Sequence, residues 1–450
     1  IMGRIFGTDG VRGIANSELT AQLAFKLGQA GAKVLTKNCS GAPKILVGKD
    51  TRASGDMLEA SLNAGFCTMG AQVYCVGVLP TPAVAYLIRK YNMDAGVVIS
   101  ASHNPMEYNG IKFFSSEGYK LSDELEAEIE EYVLDGKDLG ELPVGKDVGR
   151  VHTKRSGMQD YVDYIRSTVD GDFSGLKIAL DCANGASFEC AKLLFDSLGA
   201  KSEYICNTPD GCNINDGCGS THTQKLSEYV KNGGFDLGLA FDGDADRLLA
   251  VDENGTLVDG DKIMAICALE LRKQGKLKKD TVVATVMSNL GFFNALKANG
   301  IKYEQTTVGD RYVLENMLAN GYCIGGEQSG HIIFLDYNTT GDGLMTAVRL
   351  TSALRDSGKK MSDLASVVEI LPQVLVNARI KNENKNTYME NKEIADAIRN
   401  IEEKFAGNGR VLIRPSGTEP LVRVMLEGKD KSEIKEEATA LAKMIEERLG

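Results

Sequence analysis

The sequence predicts an α/β chain: three similar α/β domains with mixed sheets around a central cleft, then a C-terminal α+β domain with an antiparallel sheet. Three observations carry this. First, a βαβ pattern recurs. K-I-L-V-G-K-D (44–50) leads through a helix to a stop at Gly70, K-I-A-L-D (177–181) to Gly199, and T-V-V-A-T-V (281–286) to Gly300. Each stop is followed by Ala71, Ala200 or Ile301 and then by Gln72, Lys201 or Lys302, opening a second strand. Second, each unit continues into a buried strand that ends in a loop dense in functional groups. Third, the βαβ pattern ends past Leu371, where three strands and two helices read as an antiparallel sheet with helical cover.

The 450 residues, 43% hydrophobic and 25% charged, suffice for about three or four domains of roughly 100–150 residues. The pattern breaks put the boundaries at 1–150, 151–254, 255–368 and 369–450. The polar, Gly-rich stretch 135–149 marks the first edge, and Asn254-Gly255 a hairpin turn near the second. A net charge of −11 disfavours nucleic acid and anionic membranes as partners, so any anion site must be built locally. The first ten residues hold no signal-like apolar core, and no apolar run approaches the roughly 20 residues of a membrane span. The ten cysteines include no Cys-x-x-Cys pair, and Cys206, Cys212 and Cys218 are too widely spaced for a zinc knuckle, which points to a reducing cytoplasm.

In chain order, G-T-D-G-V-R-G (7–13) offers Arg12 in a Gly-rich loop. The strand D-A-G-V-V-I-S then delivers S-A-S-H-N-P (100–105). Ser102 lacks the flanking glycines of a hydrolase elbow, and His103 is expected to point away from it in an extended loop, so acyl transfer is disfavoured. A serine that carries a phosphoryl group instead needs a cation and positive neighbours. Lys112, on the following strand, is one such neighbour.

The second loop, D-G-D-A-D-R (242–247), places Asp242, Asp244 and Asp246 at every second residue, where a curved loop can turn three carboxylates onto one hard cation, Mg²⁺. Arg247 can bind phosphate or orient the loop. The third loop, G-G-E-Q-S-G-H (325–331), opens with two glycines that let backbone approach a ligand. It sets Glu327, Ser329 and His331 at alternating positions, suited to sugar hydroxyls and proton transfer. In the last domain R-P-S-G-T-E-P (414–420) gathers Arg414, Ser416, the Gly417 amide and Thr418, with Arg423 on the next strand: the donors a phosphate dianion requires.

These five motifs, in this order and over the whole chain, resemble the α-D-phosphohexomutase superfamily. The resemblance implies a phosphoserine at Ser102 and Mg²⁺ held by Asp242, Asp244, Asp246 and a phosphate oxygen on Ser102. It implies proton and charge handling by Lys112 and His331 with Arg12, a sugar grip from Glu327 and Ser329, and a distal phosphate grip from Arg414, Ser416, Gly417, Thr418 and Arg423. Gln328 and C-G-S-T-H (218–222) are similar to the phosphoglucosamine branch, whose bisphosphate is glucosamine 1,6-bisphosphate, although Thr223 stands where that branch usually has proline. The implied partner is a small sugar phosphate, and a homodimer stays open. Glucose and mannose phosphates are the alternative substrates, and a non-catalytic sugar-phosphate binder is the contrasting class.

Overall fold

The computed structural model describes residues 4–7, 9–385, 387–416 and 419–450. The chain forms two compact units, one from Ile1–Met287 with Ile301–Val367, the other from Ser288–Gly300 with Val368–Gly450.

The first unit holds three mixed sheets on one plan. The first has seven strands in the order Phe6–Gly7, Gly10–Ile14, Tyr108–Ser115, Ala95–Ile99, Lys44–Lys49, Gln72–Val78 and Val151–Thr153. The second runs Leu257–Val258, Leu248–Asp252, Leu237–Phe241, Lys177–Asp181, Lys201–Ile205, and the third Lys302–Thr306, Thr281–Thr285, Ile324–Gly326, Ile332–Phe334.

In each sheet the opening strand of the repeat pairs in parallel on both sides. One of those neighbours, Ala95–Ile99, Leu237–Phe241 or Ile324–Gly326, then turns back through its functional loop into an antiparallel partner. The three loops are therefore equivalent in topology, at the carboxyl ends of matching strands, where open α/β sheets place ligands. The strands leading to them are apolar without alternation. Ala95–Ile99 and Leu237–Phe241 are buried along their whole length because both sheet faces are covered.

Gly70, Gly199 and Gly300, at φ +81°, +74° and +65°, stop the three helices Ser54–Thr68, Cys190–Ser197 and Leu290–Ala298 in the left-handed region, where a side chain would be strained.

The sheets overrun two of the boundaries read from sequence. Val151–Thr153 pairs in parallel with Gln72–Val78, and Leu257–Val258 closes the edge beyond Leu248–Asp252. In both cases a short segment past the polar break satisfies an otherwise open sheet edge. The third repeat is also divided. Its helix, Leu290–Ala298, lies in the second unit, where buried Glu427 accepts from the Leu290 amide at 2.9 Å and from Arg410 Nε at 2.7 Å.

The rest of that unit is a three-stranded antiparallel sheet, Gln373–Arg379, Leu421–Gly428, Gly409–Pro415, as the sequence suggests. Its core is built by Val422, Val424 and Leu426 against Ile394 and Ile398 of helix Lys392–Lys404 and Ile434, Leu441 and Ile445 of helix Lys431–Leu449. Among the described residues no helix is long and apolar enough to cross a membrane.

Candidate functional site

Ser102 takes φ +52°, which folds its loop into a tight turn and buries the side chain to 1% exposure. A polar scaffold holds this turn. Asp50 accepts from Ser100 Oγ at 2.6 Å and from Arg52 Nε at 2.9 Å, and Ser100 Oγ in turn accepts from the Ser102 amide at 2.9 Å. Arg52 donates to the carbonyls of Ser102 (3.1 Å), Asn104 (2.8 Å) and Tyr108 (3.0 Å), and also to that of Pro105. From the second repeat, Asn215 Nδ2 donates to the carbonyls of Ser102 at 2.9 Å and Asn104 at 3.1 Å. A guanidinium buried on a carboxylate and four carbonyls is costly to disturb, so the turn is rigid.

The Ser102 hydroxyl donates to Asp242 Oδ2 at 2.6 Å, which joins the first loop to the second. Gly243 makes that approach possible, since a Cβ there would lie 2.4 Å from the Ser102 carbonyl oxygen. Asp242, Asp244 and Asp246 are all buried and each offers an oxygen within 4.8 Å of the others.

Their partners differ. Asp244 Oδ2 accepts from Lys112 Nζ at 2.7 Å and Thr81 Oγ1 at 2.6 Å, whereas Asp244 Oδ1 and Asp246 Oδ1 are buried without a hydrogen-bond donor among the described residues. Burial, together with Asp246 and Asp244, pushes the Asp242 carboxyl well above the usual range. Asp246 is pulled down, because His331, Lys112 and Arg247 outweigh its burial. Unpaired carboxylate oxygens converging in a dry site fit a small divalent cation, whose charge would offset the repulsion that splits the two groups.

Around the aspartates lies an alternating chain of charge. Lys112 bridges Asp244 and Asp9 (2.9 Å), and Lys120 bridges Asp9 and Asp310 (2.7 Å each). Burial works against the Lys112 ammonium, but Asp244 and Asp9 prevail and raise its pKa. Asp9 is held well below the carboxylate range because Lys112, Lys120 and Arg12 overcome its burial. Arg12 pairs with Asp9 and reaches the Asn104 side chain at 3.5 Å. A cavity of about 150 Å³ lies beside this chain, lined by Lys112, Lys120, Asp310 and Arg311 among others.

His331 is buried, with Nδ1 3.5 Å from Asp246 and Nε2 3.4 Å from Asp310. The Gly341 amide lies 3.1 Å from Nε2, and although burial disfavours the charged ring, Asp246 and Asp310 outweigh it and raise the His331 pKa. Arg247 lies 3.9 Å from Asp246 through Nε, and its amide donates to Asp242 Oδ1 at 3.2 Å, so it orients the acidic loop.

Two expectations are corrected. His103 does not point away from Ser102: the left-handed turn brings its Nδ1 to 3.4 Å from Ser102 Oγ, and burial, then Arg247 and Arg12, lower its pKa to about 4. Gly325 and Gly326 are not a ligand-facing loop but the strand Ile324–Gly326, where a Cβ on Gly326 would meet the His331 carbonyl oxygen at 2.5 Å. Cys206 and Cys218, at the two ends of one short segment, also meet beside Asp181.

Of the third loop, Glu327 is half-buried and Ser329 exposed at the tip. In the second unit Arg414 and Arg423 stand directly opposite each other across the strand pair. Burial and the Arg423 charge lower the pKa of Arg414, a repulsion that a bound anion would relieve. Ser416, 4% exposed, accepts from the Glu419 amide at 3.2 Å, while Gly417 and Thr418 lie outside the described residues.

The motif reading missed Asp9, Asp50, Arg52, Lys120, Asn215 and Asp310. Asp9 stands inside the quoted first motif, and Arg52 in K-D-T-R directly after the first repeat strand, so position relative to the repeat could have flagged both.

Family comparisons cover nearly the entire chain. Residues 3–139, 159–255 and 259–370 match phosphoglucomutase/phosphomannomutase alpha/beta/alpha domains I, II and III, and 375–444 the C-terminal domain. The chain is similar to phosphoglucosamine mutase of Acetivibrio thermocellus (62% identical over 449 residues, 100% of both chains) and to that of Ruminiclostridium cellulolyticum (60% over 448, 100% of both). The fold is similar to a solved phosphoglucomutase/phosphomannomutase family protein from Burkholderia thailandensis, with a TM-score of 0.82 at 23% identity over 99% of this chain and 98% of the other.

Proposed function

The chain belongs to the phosphoglucomutase/phosphomannomutase family, and from that premise we propose that it acts as a phosphoglucosamine mutase. As an isomerase it interconverts glucosamine 6-phosphate and glucosamine 1-phosphate, supplying amino-sugar nucleotide and cell-wall precursor synthesis in the cytoplasm. The observation that carries the chemistry is the Ser102 hydroxyl held at 2.6 Å on the first of three buried aspartates. Full-length similarity to phosphoglucosamine mutases supports the choice of sugar.

In this reading Ser102 carries a phosphoryl group in the resting enzyme. Its P–O bond breaks as a bond forms to a sugar oxygen, giving glucosamine 1,6-bisphosphate. The bisphosphate turns over and returns its other phosphoryl group to Ser102. Asp242, Asp244 and Asp246, with a phosphate oxygen on Ser102, would hold Mg²⁺, which supplies neutralisation of the phosphoryl charge. Lys112, kept as an ammonium by Asp244 and Asp9, adds fixed positive charge beside the transferring group, and Arg12 adds a second cation at the Ser102 loop. His331 handles the proton of the reacting hydroxyl. Arg247 steadies the aspartate loop. Glu327 and Ser329 hold sugar hydroxyls, while Arg414, Ser416, Gly417, Thr418 and Arg423 bind the phosphate that is not reacting.

The sugar assignment is tested with glucosamine, glucose and mannose 6-phosphates side by side, each with its bisphosphate and Mg²⁺. The expected result is a kcat/KM for glucosamine 6-phosphate about 10-fold or more above the others, the margin that one or two hydrogen bonds to the amino group supply. A preference for a hexose without the amino group would move the chain to the phosphoglucomutase/phosphomannomutase alternative.

A further inference from the structure

The middle repeat contains a thiol pair that phosphoryl transfer does not use. Sγ of Cys206, Sγ of Cys218 and a carboxylate oxygen of Asp181 lie within 4.8 Å of one another, with both thiols unbonded. Cys206 directly follows the strand Lys201–Ile205, is half-buried, and sits in the left-handed region at φ +49°. Cys218 is buried to 1% exposure, and Lys225 Nζ lies 3.3 Å from Cys206 Sγ. An accessible sulfur facing an ammonium, with a second sulfur enclosed behind it, is the arrangement of an attacking and a resolving thiol.

A metal is the poorer occupant. Lys225 already offers positive charge to the outer sulfur, and both Asp181 oxygens accept backbone amides, from Ala183 and Gly219 at 2.9 Å each. The S–H of Cys218 pulls the Cys206 thiol down to about 7, and Lys225 assists against burial and Asp181.

The segment between the two cysteines carries Asn215, whose side chain donates to the Ser102 and Asn104 carbonyls. At one end the Cys206 carbonyl accepts from the Asn184 amide at 2.6 Å; at the other the Ser220 amide donates at 2.8 Å to the carbonyl of Phe241, the residue before Asp242. The serine loop is therefore tied to the segment that a Cys206–Cys218 bond would close, and the aspartate loop to Ser220 just beyond Cys218.

We propose that Cys206 and Cys218 form a reversible disulfide, driven by a hydroperoxide, that lowers turnover by displacing the Asn215 support of the Ser102 loop. The Cys206 thiolate attacks a peroxide oxygen: an S–O bond forms, the O–O bond breaks, and the leaving oxygen takes a proton and departs as water. Cys218 sulfur then attacks the sulfenic acid: the S–S bond forms, the S–O bond breaks, and the hydroxyl leaves as water with the Cys218 proton. Two thiols and one hydrogen peroxide give one disulfide and two waters, two electrons passing from sulfur to oxygen. An S–S bond of about 2.05 Å then tightens the 206–218 segment.

The test treats the full chain with hydrogen peroxide, blocks remaining thiols with iodoacetamide, and follows peptide mapping and mutase turnover with and without dithiothreitol, alongside Cys206→Ser, Cys218→Ser and Cys212→Ser. A Cys206–Cys218 cross-linked peptide is expected in the parent chain and in Cys212→Ser, and in neither of the other variants. Turnover is expected to fall about tenfold and to recover on reduction, while Cys206→Ser keeps its activity through the treatment. Cys206 and Cys218 remaining fully alkylated, a cross-link to Cys212 instead, one equivalent of zinc retained at the two sulfurs, or a full cross-link with undiminished turnover would each overturn the proposal. Only the turnover readout rests on the mutase reading: a chain inactive on every sugar phosphate before oxidation counts against that reading, while the cross-link still decides whether the disulfide forms.

Discussion

The Ser102→Ala variant is expected to lose interconversion by roughly 10⁴–10⁶-fold, the range seen when a covalent nucleophile is removed, while keeping its affinity for the sugar phosphate near that of the parent chain. The split follows from geometry. The Ser102 hydroxyl contacts Asp242 and His103, whereas the loop's position rests on backbone contacts from Arg52 and Asn215 that alanine leaves in place. Turnover by coupled assay and affinity by calorimetry separate the two effects. A variant that kept turnover would remove the phosphoserine mechanism, and one that lost affinity and turnover together would show that the loop had collapsed.

The second large effect is expected from Asp246→Asn. Asp246 Oδ1 is a buried oxygen without a hydrogen-bond donor among the described residues, with only Arg247 Nε at 3.9 Å beside it, so it has room for a cation while His331 pairs with the other oxygen. Removing that charge is expected to weaken magnesium binding and to cut turnover about 10³-fold, several kcal/mol of lost charge stabilisation. Titration of Mg²⁺ against turnover checks both: the half-saturating concentration should rise together with the loss in rate. An unchanged magnesium dependence would place the cation elsewhere.

The fold was legible because each repeat writes its topology into local pattern. Continuous apolar strands, helices stopped at Gly70, Gly199 and Gly300, and polar loops after matching strands all follow from burial and backbone sterics, which a sequence displays. The candidate residues Ser102, Asp242, Asp244 and Asp246, which the structure brings together, could be picked out because their loops follow matching strands of the repeat.

What was hidden depends on pairing across distance. Asp9, Lys120 and Asp310 acquire meaning only as an alternating charge chain between the first and third repeats. Arg52 and Asn215 act through carbonyls, which carry no side-chain signature. The left-handed turn at Ser102, which sets His103 beside the hydroxyl, needs a scaffold to enforce it, and the same holds for the meeting of Cys206 with Cys218. The division of the third repeat rests on buried Glu427 binding the start of a helix far away in sequence.

The most direct measurement follows a labelled phosphoryl group. The chain is loaded from glucosamine 1,6-bisphosphate with isotopic label on its phosphates, in Mg²⁺, and digested before and after addition of unlabelled glucosamine 6-phosphate. The account predicts label on the peptide containing Ser102 and its discharge into bisphosphate at the rate of turnover. Label absent from Ser102 in a chain that turns over, or label that stays on Ser102 when the sugar phosphate is added, would contradict it.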